Sequence, residues 1–548
     1  MSSLSSLLKL KPFVNKYKSC FVIGVIEVVL SSIISIPAPY LIGQLMDNIL
    51  VSGENYKALY KNIAIIAIFY IVSYILSIAS KYTFIKINNY IVSELRYSVM
   101  EKVLNLPMSY LANTEKGYVQ SRISECTTVG NIFSPSLISQ FLSIVSAALA
   151  LITMLSINLK LTIVVILLMP IFYFFSKYSS KNFSKYTKRM MESNAVLNGE
   201  CFEIINGIED IKILNGKETH LKKFKTRIDE LFKISIKQSK AMVMLVENIG
   251  LVNRFGSLII LFFAGFLILN GEFTIGLYTS FTIYINKVFA CTEGVASLEI
   301  VLKPVCVSIE RLYELLDMNE ENQGNSKCIK KNENIEAIEF KNVGFQYDKD
   351  SVVLNSLNFK IEKKDKVLIR GENGAGKSTI IKLLLGLYKQ TKGKILYNNV
   401  DLDKFDIESV RSRIGVVCQN IFLFKGTVIE NILYGQKNKN RKDVERIIEK
   451  LNLQEYVKKM PKGLDTEIIQ NTTGVSGGQA QIIAFIRAMI SEKDILILDE
   501  PVSNVDIETR YIVLNILKNT DFGGILIVVS HLLEGMDFIE NIIDIKSE

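Results

Sequence analysis

The sequence predicts a two-part chain: an all-α domain of six membrane-spanning helices followed by an α/β domain. Three observations carry that expectation. Apolar runs of membrane-crossing length all lie before about residue 305. A polar stretch, NEENQGNSKCIKKNEN, follows over 319–334. Beyond it, apolar runs of strand length alternate with helical ones, the pattern of a parallel, buried sheet. The expected boundaries are 1–318 for the membrane domain, 319–334 for a linker and 335–548 for the α/β domain.

Crossing the hydrocarbon core of a bilayer takes about 20 apolar residues in a helix. Six stretches qualify: Cys20–Asp47, Asn62–Ser80, Thr127–Leu159, Leu161–Ser176, Asn248–Gly271 and Phe273–Leu302. No charged residue lies between Glu125 and Lys160, so spans three and four form a hairpin around 156–160. Spans five and six share the short turn Asn270-Gly271-Glu272. The other two connections are long and basic. Lys81, Lys86, Arg96, Lys102 and Arg122 lie in one, and many Lys and Glu between Lys177 and Lys240 in the other. Basic residues stay on the cytoplasmic side. That places the N-terminus, both long connections and the C-terminal domain in the cytoplasm, with the chain multi-pass in the cell membrane. Ile204, Ile205, Ile208, Ile211, Ile213 and Leu214 are amphipathically spaced, so the long connections are expected to be helices running out of the bilayer. Lys9, Lys11, Lys16 and Lys18 precede an apolar run too long for a signal peptide, which reads as an uncleaved first span.

The composition agrees: 49% hydrophobic against 22% charged, with a mean hydropathy of +0.27. The net charge of +9 suits the cytoplasmic flanks of a membrane chain and does not require a nucleic-acid partner. The seven cysteines show no CxxC and no paired spacing, so free thiols are expected. Two histidines, His220 and His531, are too few for a multi-histidine metal centre.

Gly371-Glu372-Asn373-Gly374-Ala375-Gly376-Lys377-Ser378, followed by Thr379, fits G-x-x-x-x-G-K-[ST] between the strand KVLIR and the helix STIIKLLLGL. Glycines let such a loop wrap phosphates, which meet free N–H groups at the helix start. Lys377 is expected to reach the β- and γ-phosphates of ATP, and the Ser378 hydroxyl to ligate Mg²⁺. The buried strand ILILD ends in Asp499 and Glu500, suited to the Mg²⁺ shell and to general-base activation of a water. Val475-Ser476-Gly477-Gly478-Gln479 then opens a helix.

With that loop the array resembles the ATP-binding-cassette (ABC) transporters, whose signature it is. Further landmarks follow in order. Tyr347 in FQY corresponds to the aromatic residue that stacks on adenine, and Gln419 in VVCQN to the Q-loop. Asp506 in SNVD corresponds to the D-loop, and His531 in VVSH to the switch histidine. Six spans before one cassette is the layout of exporter-type half-transporters. The resemblance implies a dimer, identical chains being favoured over a pair of different ones. ATP would lie between the P-loop of one cassette and Ser476, Gly477, Gly478 and Gln479 of the other. It also implies that Gln419 sits beside Mg²⁺ and the attacking water, and that segments near Ser109–Gly117 and Ile205–Lys212 couple to the cassettes. Export or flipping of a small molecule, peptide or lipid is the function implied. An importer of exporter-like fold and a non-transport ABC ATPase are the alternatives.

Three departures stand out. Ile469-Gln470-Asn471-Thr472 replaces Gly-Glu-Arg-Gly ahead of the signature, Ala480 stands where an arginine usually follows it, and the chain stops soon after His531. Within the apolar runs, Glu27, Lys287, Glu293 and Glu299 either line a water-filled path or find partners, because a charge facing lipid costs about 2.5–3.5 kcal/mol. Phe172, Tyr173, Phe174 and Phe175 read as packing or an interfacial belt rather than an aromatic cage.

Overall fold

The computed structural model describes residues 3–47, 56–114, 116–321, 327–329, 333–347, 352–372, 374–436, 438–469, 474–491, 493–503, 505–519, 522–531, 535–539 and 541–545. Asn373 and residues 470–472 of the expected landmarks lie outside that set, as do the side chains of Phe172, Tyr173, Glu293 and Glu299. The chain divides into two compact units, Met1–Val103 with Lys116–Asp317, and Leu104–Glu115 with Met318–Glu548.

The first unit is helical: α1 (Ser3–Leu8), α2 (Lys11–Lys16), α3 (Lys18–Ile34), α4 (Pro37–Leu45), α5 (Tyr56–Leu104), then, after the short α6 (Met108–Ala112) of the second unit, α7 (Lys116–Gly130), α8 (Pro135–Ile157), α9 (Leu159–Asn206), α10 (Ile208–Ile213), α11 (Lys217–Leu269) and α12 (Ile275–Leu316). Four stretches among the described residues are long and apolar enough to cross a membrane: Lys18–Leu45, Leu59–Leu104, Gly117–Ile157 and Lys217–Leu269. The expected fourth and sixth spans lie within α9 and α12. In α9 the described apolar stretch is the shorter Leu159–Ile171.

Local chemistry sets the ends. Asn158 turns the chain between α8 and α9, and its Oδ1 accepts a 3.0 Å bond from the Leu161 N–H as an N-cap. Gly271 turns the chain before α12 at φ +72°, a conformation glycine adopts without strain. The first span is built of two helices rather than one. It breaks between Ile34 and Pro37, because Pro37 and Pro39 have no N–H to continue the ladder. The third is also broken, by a 3-10 turn at Asn131–Phe133 and by Pro135, which starts α8 under a Ser134 N-cap.

The second unit contains β1 (Ala337–Gln346), β2 (Val352–Glu362), β3 (Lys366–Gly371), α13 (Lys377–Leu384), β4 (Lys392–Tyr397), β5 (Val400–Asp401), α14 (Ile407–Arg411), β6 (Ile414–Val417), β7 (Gly426–Thr427), α15 (Val428–Ile432), α16 (Arg441–Lys450), α17 (Gln454–Lys458), β8 (Glu467–Ile468), α18 (Gly477–Met489), β9 (Ile495–Asp499), α19 (Ile507–Asn519), β10 (Ile525–Val529) and β11 (Asn541–Ile545). A parallel sheet in the order β11-β3-β10-β9-β6 forms the centre, and β2-β1-β4-β5 form an antiparallel sheet. Along β9 the side chains alternate between two cores. Ile495 and Ile497 join Phe340, Ile380 and Tyr397 on one face, while Leu496 and Leu498 join Ile482, Phe485 and Val513 on the other. Burial on both faces explains why the parallel strands read as unbroken apolar runs. The described parts of 319–334 are anchored rather than free: Arg411 forms a bidentate pair with Glu321, at 2.9 and 2.6 Å, and the Lys327 N–H donates to the Lys404 carbonyl at 2.7 Å.

Candidate functional site

Register aligns the catalytic candidates. Ile369 of β3, Val529 of β10 and Asp499 of β9 are neighbours in one row across the sheet, and Val417 of β6 pairs with Leu498. The residues just beyond that row therefore gather at one edge: Arg370 and Gly371, Ser530 and His531, Glu500, and Cys418 with Gln419. In open parallel sheets this carboxyl edge is where ligands bind.

The loop after β3 needs its glycines. Gly374 and Gly376 have φ of +89° and +90°, and a Cβ on Gly376 would lie 2.8 Å from Leu354. A Cβ on Gly371 would meet the Ile545 carbonyl oxygen at 2.6 Å. Lys377 is buried, and its ammonium donates back to the carbonyls of Gly371 (2.8 Å) and Glu372 (2.9 Å), so the loop is a closed ring around its own lysine. Ser378 is exposed at the start of α13, and Thr379 behind it is buried.

Glu500 sits at φ +50°, a region that costs free energy for a residue with a Cβ. The turn is held by its N–H, which donates to the Val529 carbonyl at 2.8 Å, and by the Ser503 hydroxyl, which donates to the Glu500 carbonyl at 2.9 Å. The effect is to point a 7% exposed carboxylate at His531. His531 Nδ1 lies 2.8 Å from Glu500 Oε1, and the His531 N–H donates to the same oxygen at 3.2 Å. Burial pushes the Asp499 carboxyl above its usual range, Glu500 adds to that, and Lys377 and Lys382 pull it down. Two adjacent carboxylates, one poorly solvated, are a donor set a cation would relieve. No cluster of three His, Cys, Asp or Glu that could hold a metal occurs among the described residues. Asp499 and Glu500 with exposed Ser378 and Gln419 offer oxygen donors that fit a Mg²⁺ carried in with phosphates, which typically uses one or two protein oxygens.

Ser476 is the N-cap of α18 in a capping box. Its Oγ accepts from the Gln479 N–H at 3.2 Å, and its own N–H donates to Gln479 Oε1 at 2.9 Å. Gly477 has open space where a Cβ would be, whereas a Cβ on Gly478 would lie 2.4 Å from Thr509 Oγ1 and 2.8 Å from Asp506 Oδ2. Asp506 caps α19, accepting from the Thr509 N–H at 2.7 Å and from its hydroxyl at 3.1 Å. Signature and D-loop candidates thus share one contact. Ala480 is buried at 1% exposure in the core.

Tyr347 lines a cavity of about 780 Å³ with Lys382, Tyr388 and Asp403. Its hydroxyl shares a 3.1 Å hydrogen bond with Thr379 Oγ1, and its ring meets Phe345 and Tyr388 edge-on at 4.8 and 5.3 Å. Sequence reasoning missed three residues that hold this constellation. Buried Gln481 donates to the Pro501 carbonyl at 2.9 Å, tying α18 to the turn after Glu500. Tyr456 shares a 2.9 Å bond with Thr509, behind Gly478. A polar side chain inside AQIIAFIRAM was the available signal for Gln481; nothing local signals the Tyr456–Thr509 pair.

Residues 21–291 match the family model of the ABC transporter transmembrane region, and residues 354–503 match the ABC transporter family model. The chain belongs to the ABC transporters. It is 27% identical over 547 residues to the transport/processing ATP-binding protein ComA of Streptococcus pneumoniae serotype 4, covering 96% of this chain and 74% of that protein. It is 28% identical over 540 residues to the ATP-dependent lipid A-core flippase of Wigglesworthia glossinidia brevipalpis, covering 95% and 90%. The solved structure of a bacterial Atm1-family ABC exporter with ATP bound superposes with a TM-score of 0.84 at 19% identity, covering 96% of this chain and 93% of that one, which establishes the fold. This ABC transporter chain is therefore a membrane protein of half-transporter layout that binds ATP, hydrolyses it to drive transport and functions with a second half.

In the membrane unit, Lys287 has partners: its ammonium donates to the Ser35 carbonyl and hydroxyl, both at 2.9 Å. Phe174 and Phe175 are exposed on the unit. Of the two expected coupling segments, Ser109–Gly117 overlaps α6 and Ile205–Lys212 overlaps α10.

Proposed function

We propose that two copies of this chain form an exporter in the cytoplasmic membrane, six spans each, with ATP and Mg²⁺ held between the cassettes. The observation that carries it is the buried Glu500 carboxylate presented from a strained turn and held by His531 at 2.8 Å. In this reading Glu500 accepts the proton of the water attacking the γ-phosphate, and His531 fixes its orientation. Lys377, with the N–H groups of Gly374 to Thr379, binds the β- and γ-phosphates, and Tyr347 stacks on adenine. Ser476, Gly477, Gly478 and Gln479 of the second copy close on the γ-phosphate, with Asp506 at the seam. Ser378, Asp499 and Gln419 would hold Mg²⁺, whose charge neutralises the phosphates. Export is supported by the layout shared with the flippase and with the superposed exporter.

The test is Glu500→Gln, which keeps shape and removes the base. ATP turnover is expected to fall about 10²–10⁴-fold, with ATP still bound and a spin-label pair across the two cassettes held at its closed distance. Near-normal turnover would overturn the assignment.

A further inference from the structure

Residue 39 is proline, so the Ser35 carbonyl, four residues earlier, has no helical donor. An orphaned carbonyl in an apolar setting needs a partner from elsewhere. One face of α12 supplies it. Ser280, Tyr284 and Lys287 follow the i, i+4, i+7 spacing of a single helix stripe. The Ser280 hydroxyl donates to the Pro39 carbonyl at 2.8 Å, the Tyr284 hydroxyl to the Ile36 carbonyl at 2.6 Å, and the Lys287 ammonium to the Ser35 carbonyl at 2.9 Å. The same stripe continues at Gly276, whose N–H donates to Asp47 Oδ1 at 2.8 Å. There the two backbones touch: a Cβ on Gly276 would lie 2.1 Å from the Gly43 carbonyl oxygen.

The other half of the first span is bonded to different helices. Ser31 and Ser73 exchange hydroxyl-to-carbonyl bonds of 3.2 and 3.3 Å, joining α3 to α5, and the Ser146 hydroxyl of α8 donates to Ser32 Oγ at 3.2 Å. The Phe21 and Phe84 rings pack edge to face at 5.9 Å on the same α3–α5 seam. A cavity of about 550 Å³, walled by Ile36, Pro37, Tyr40, Thr153, Leu277 and Tyr284, lies against the break. We propose that Ser280, Tyr284 and Lys287 are positioning residues that fasten α4, through Pro39, and the break that leads into it, through Ile36 and Ser35, to α12. The two then move as one body during the cycle while α3 stays with α5, and the first span flexes where α3 ends, between Ile34 and Ser35. This gives Lys287 a backbone to hold in place of a cargo to recognise, and it rests on the ATP-driven cycle proposed above.

The test uses the full chain in lipid nanodiscs with its native cysteines replaced. Spin labels go at the exposed positions Ile26 in α3, Tyr40 in α4 and Ile275 in α12, in protein diluted with unlabelled chain. Distances are compared without nucleotide and with ATP in the Glu500→Gln background. The 40–275 distance is expected to hold to within about 1–2 Å, the scale of sliding between packed helices, while the 26–275 distance changes by more. Lys287→Met is expected to broaden the 40–275 distribution about twofold, as a helix freed of a fixed bond samples a second packing. Lys287→Arg, which keeps donors, restores the width. A 40–275 distance that shifts as far as 26–275, or a Lys287→Met distribution as narrow as wild type, overturns the proposal. A pair across the cassettes is measured in parallel. If it closes with ATP while the membrane pairs contradict the hinge, the hinge alone is wrong. If it does not close, the cycle fails and takes the hinge with it.

Discussion

The two units treat polar and apolar groups in opposite ways. In the cassette the core hides large apolar side chains, Phe340 at 1% and Phe485 at 0% exposure, and the buried polar residues Lys377, Glu500 and Ser530 gather at one sheet edge. The membrane unit has a core too, with Phe281 and Phe289 buried, but it carries many large apolar side chains outside, Phe262 at 72% and Leu269 at 88% among them. Its polar groups instead bond backbone carbonyls along helix pairs, as Ser31, Ser73 and Ser280 do. Water forces apolar groups inside and tolerates polar ones anywhere on the surface. Lipid reverses the demand, since it cannot satisfy a carbonyl. A polar residue in the cassette interior is thus a candidate for chemistry, and one in the membrane unit is first a candidate for repairing the backbone.

The strongest way to break that contrast is a pair of equal truncations. Phe485→Ala empties the centre of the core under α18 and is expected to cost about 3–5 kcal/mol, whereas Phe262→Ala is expected to stay within about 0.5 kcal/mol. Unfolding midpoints of the purified chain in nanodiscs measure both. Equal losses would mean that Phe262 faces a packed interior rather than lipid.

The same contrast explains what could be read from sequence. The P-loop, the Asp499-Glu500 strand end and the signature were legible because phosphate chemistry demands fixed residues at fixed local spacing, and the parallel strands because burial on both faces leaves unbroken apolar runs. Of the antiparallel sheet only β1 was, as the apolar run 338–345. In β2, VVLNSLNFKIE, only Leu354 and Ile361 are fully buried, and the period-2 signal is lost. Pro37 and Pro39 were visible, yet the first span read as continuous because hydropathy averages over a break that donors some 240 residues away make tolerable. Gln481, Tyr456 and Thr509 act through contacts that no local spacing encodes.

The next test asks whether the site edge is organised by its lysine. Lys377→Met removes two charge-assisted hydrogen bonds within the loop and the one cation at its centre. At about 1.5–3 kcal/mol for a hydrogen bond to a charged group, ATP affinity is expected to fall about 10- to 150-fold. Equilibrium binding of a fluorescent ATP analogue measures it, and unchanged affinity would detach Lys377 from the phosphates. Unlike Glu500→Gln, this variant should lose cassette closure together with binding.

The two signature glycines separate structure from function inside one motif. Gly478→Ala drives a Cβ against Thr509, Asp506 and Tyr456, and overpacking of this kind costs about 1–3 kcal/mol. Gly477→Ala meets open space, so stability should hold while ATPase activity falls, because in the proposed dimer its N–H faces the partner's γ-phosphate. Thermal midpoints and ATPase rates on both variants decide. Loss of stability in Gly477→Ala would show that its role is structural after all.

The smallest effect is expected at Asp506, and its sign can be worked out. Its carboxyl is held below the usual aspartate range chiefly by the Thr509 N–H, with the Thr509 hydroxyl helping and burial opposing. A carboxyl whose pKa is depressed in the folded state adds stability above its unfolded pKa and loses it as pH falls through the folded one. The cap should therefore be fully present at neutral pH and fade below roughly pH 4, the ordinary aspartate range. Asp506 is exposed, so solvent screens the gain. A helix N-cap at such a position contributes about 1 kcal/mol or less. Asp506→Asn keeps an oxygen to accept from Thr509 but cannot titrate. Unfolding midpoints of wild type and variant, taken in steps from neutral pH into acid, should converge as the pH drops. Parallel curves would show that the Asp506 cap is not linked to protonation, and that the contact between D-loop and signature rests on the shape of Gly478 alone.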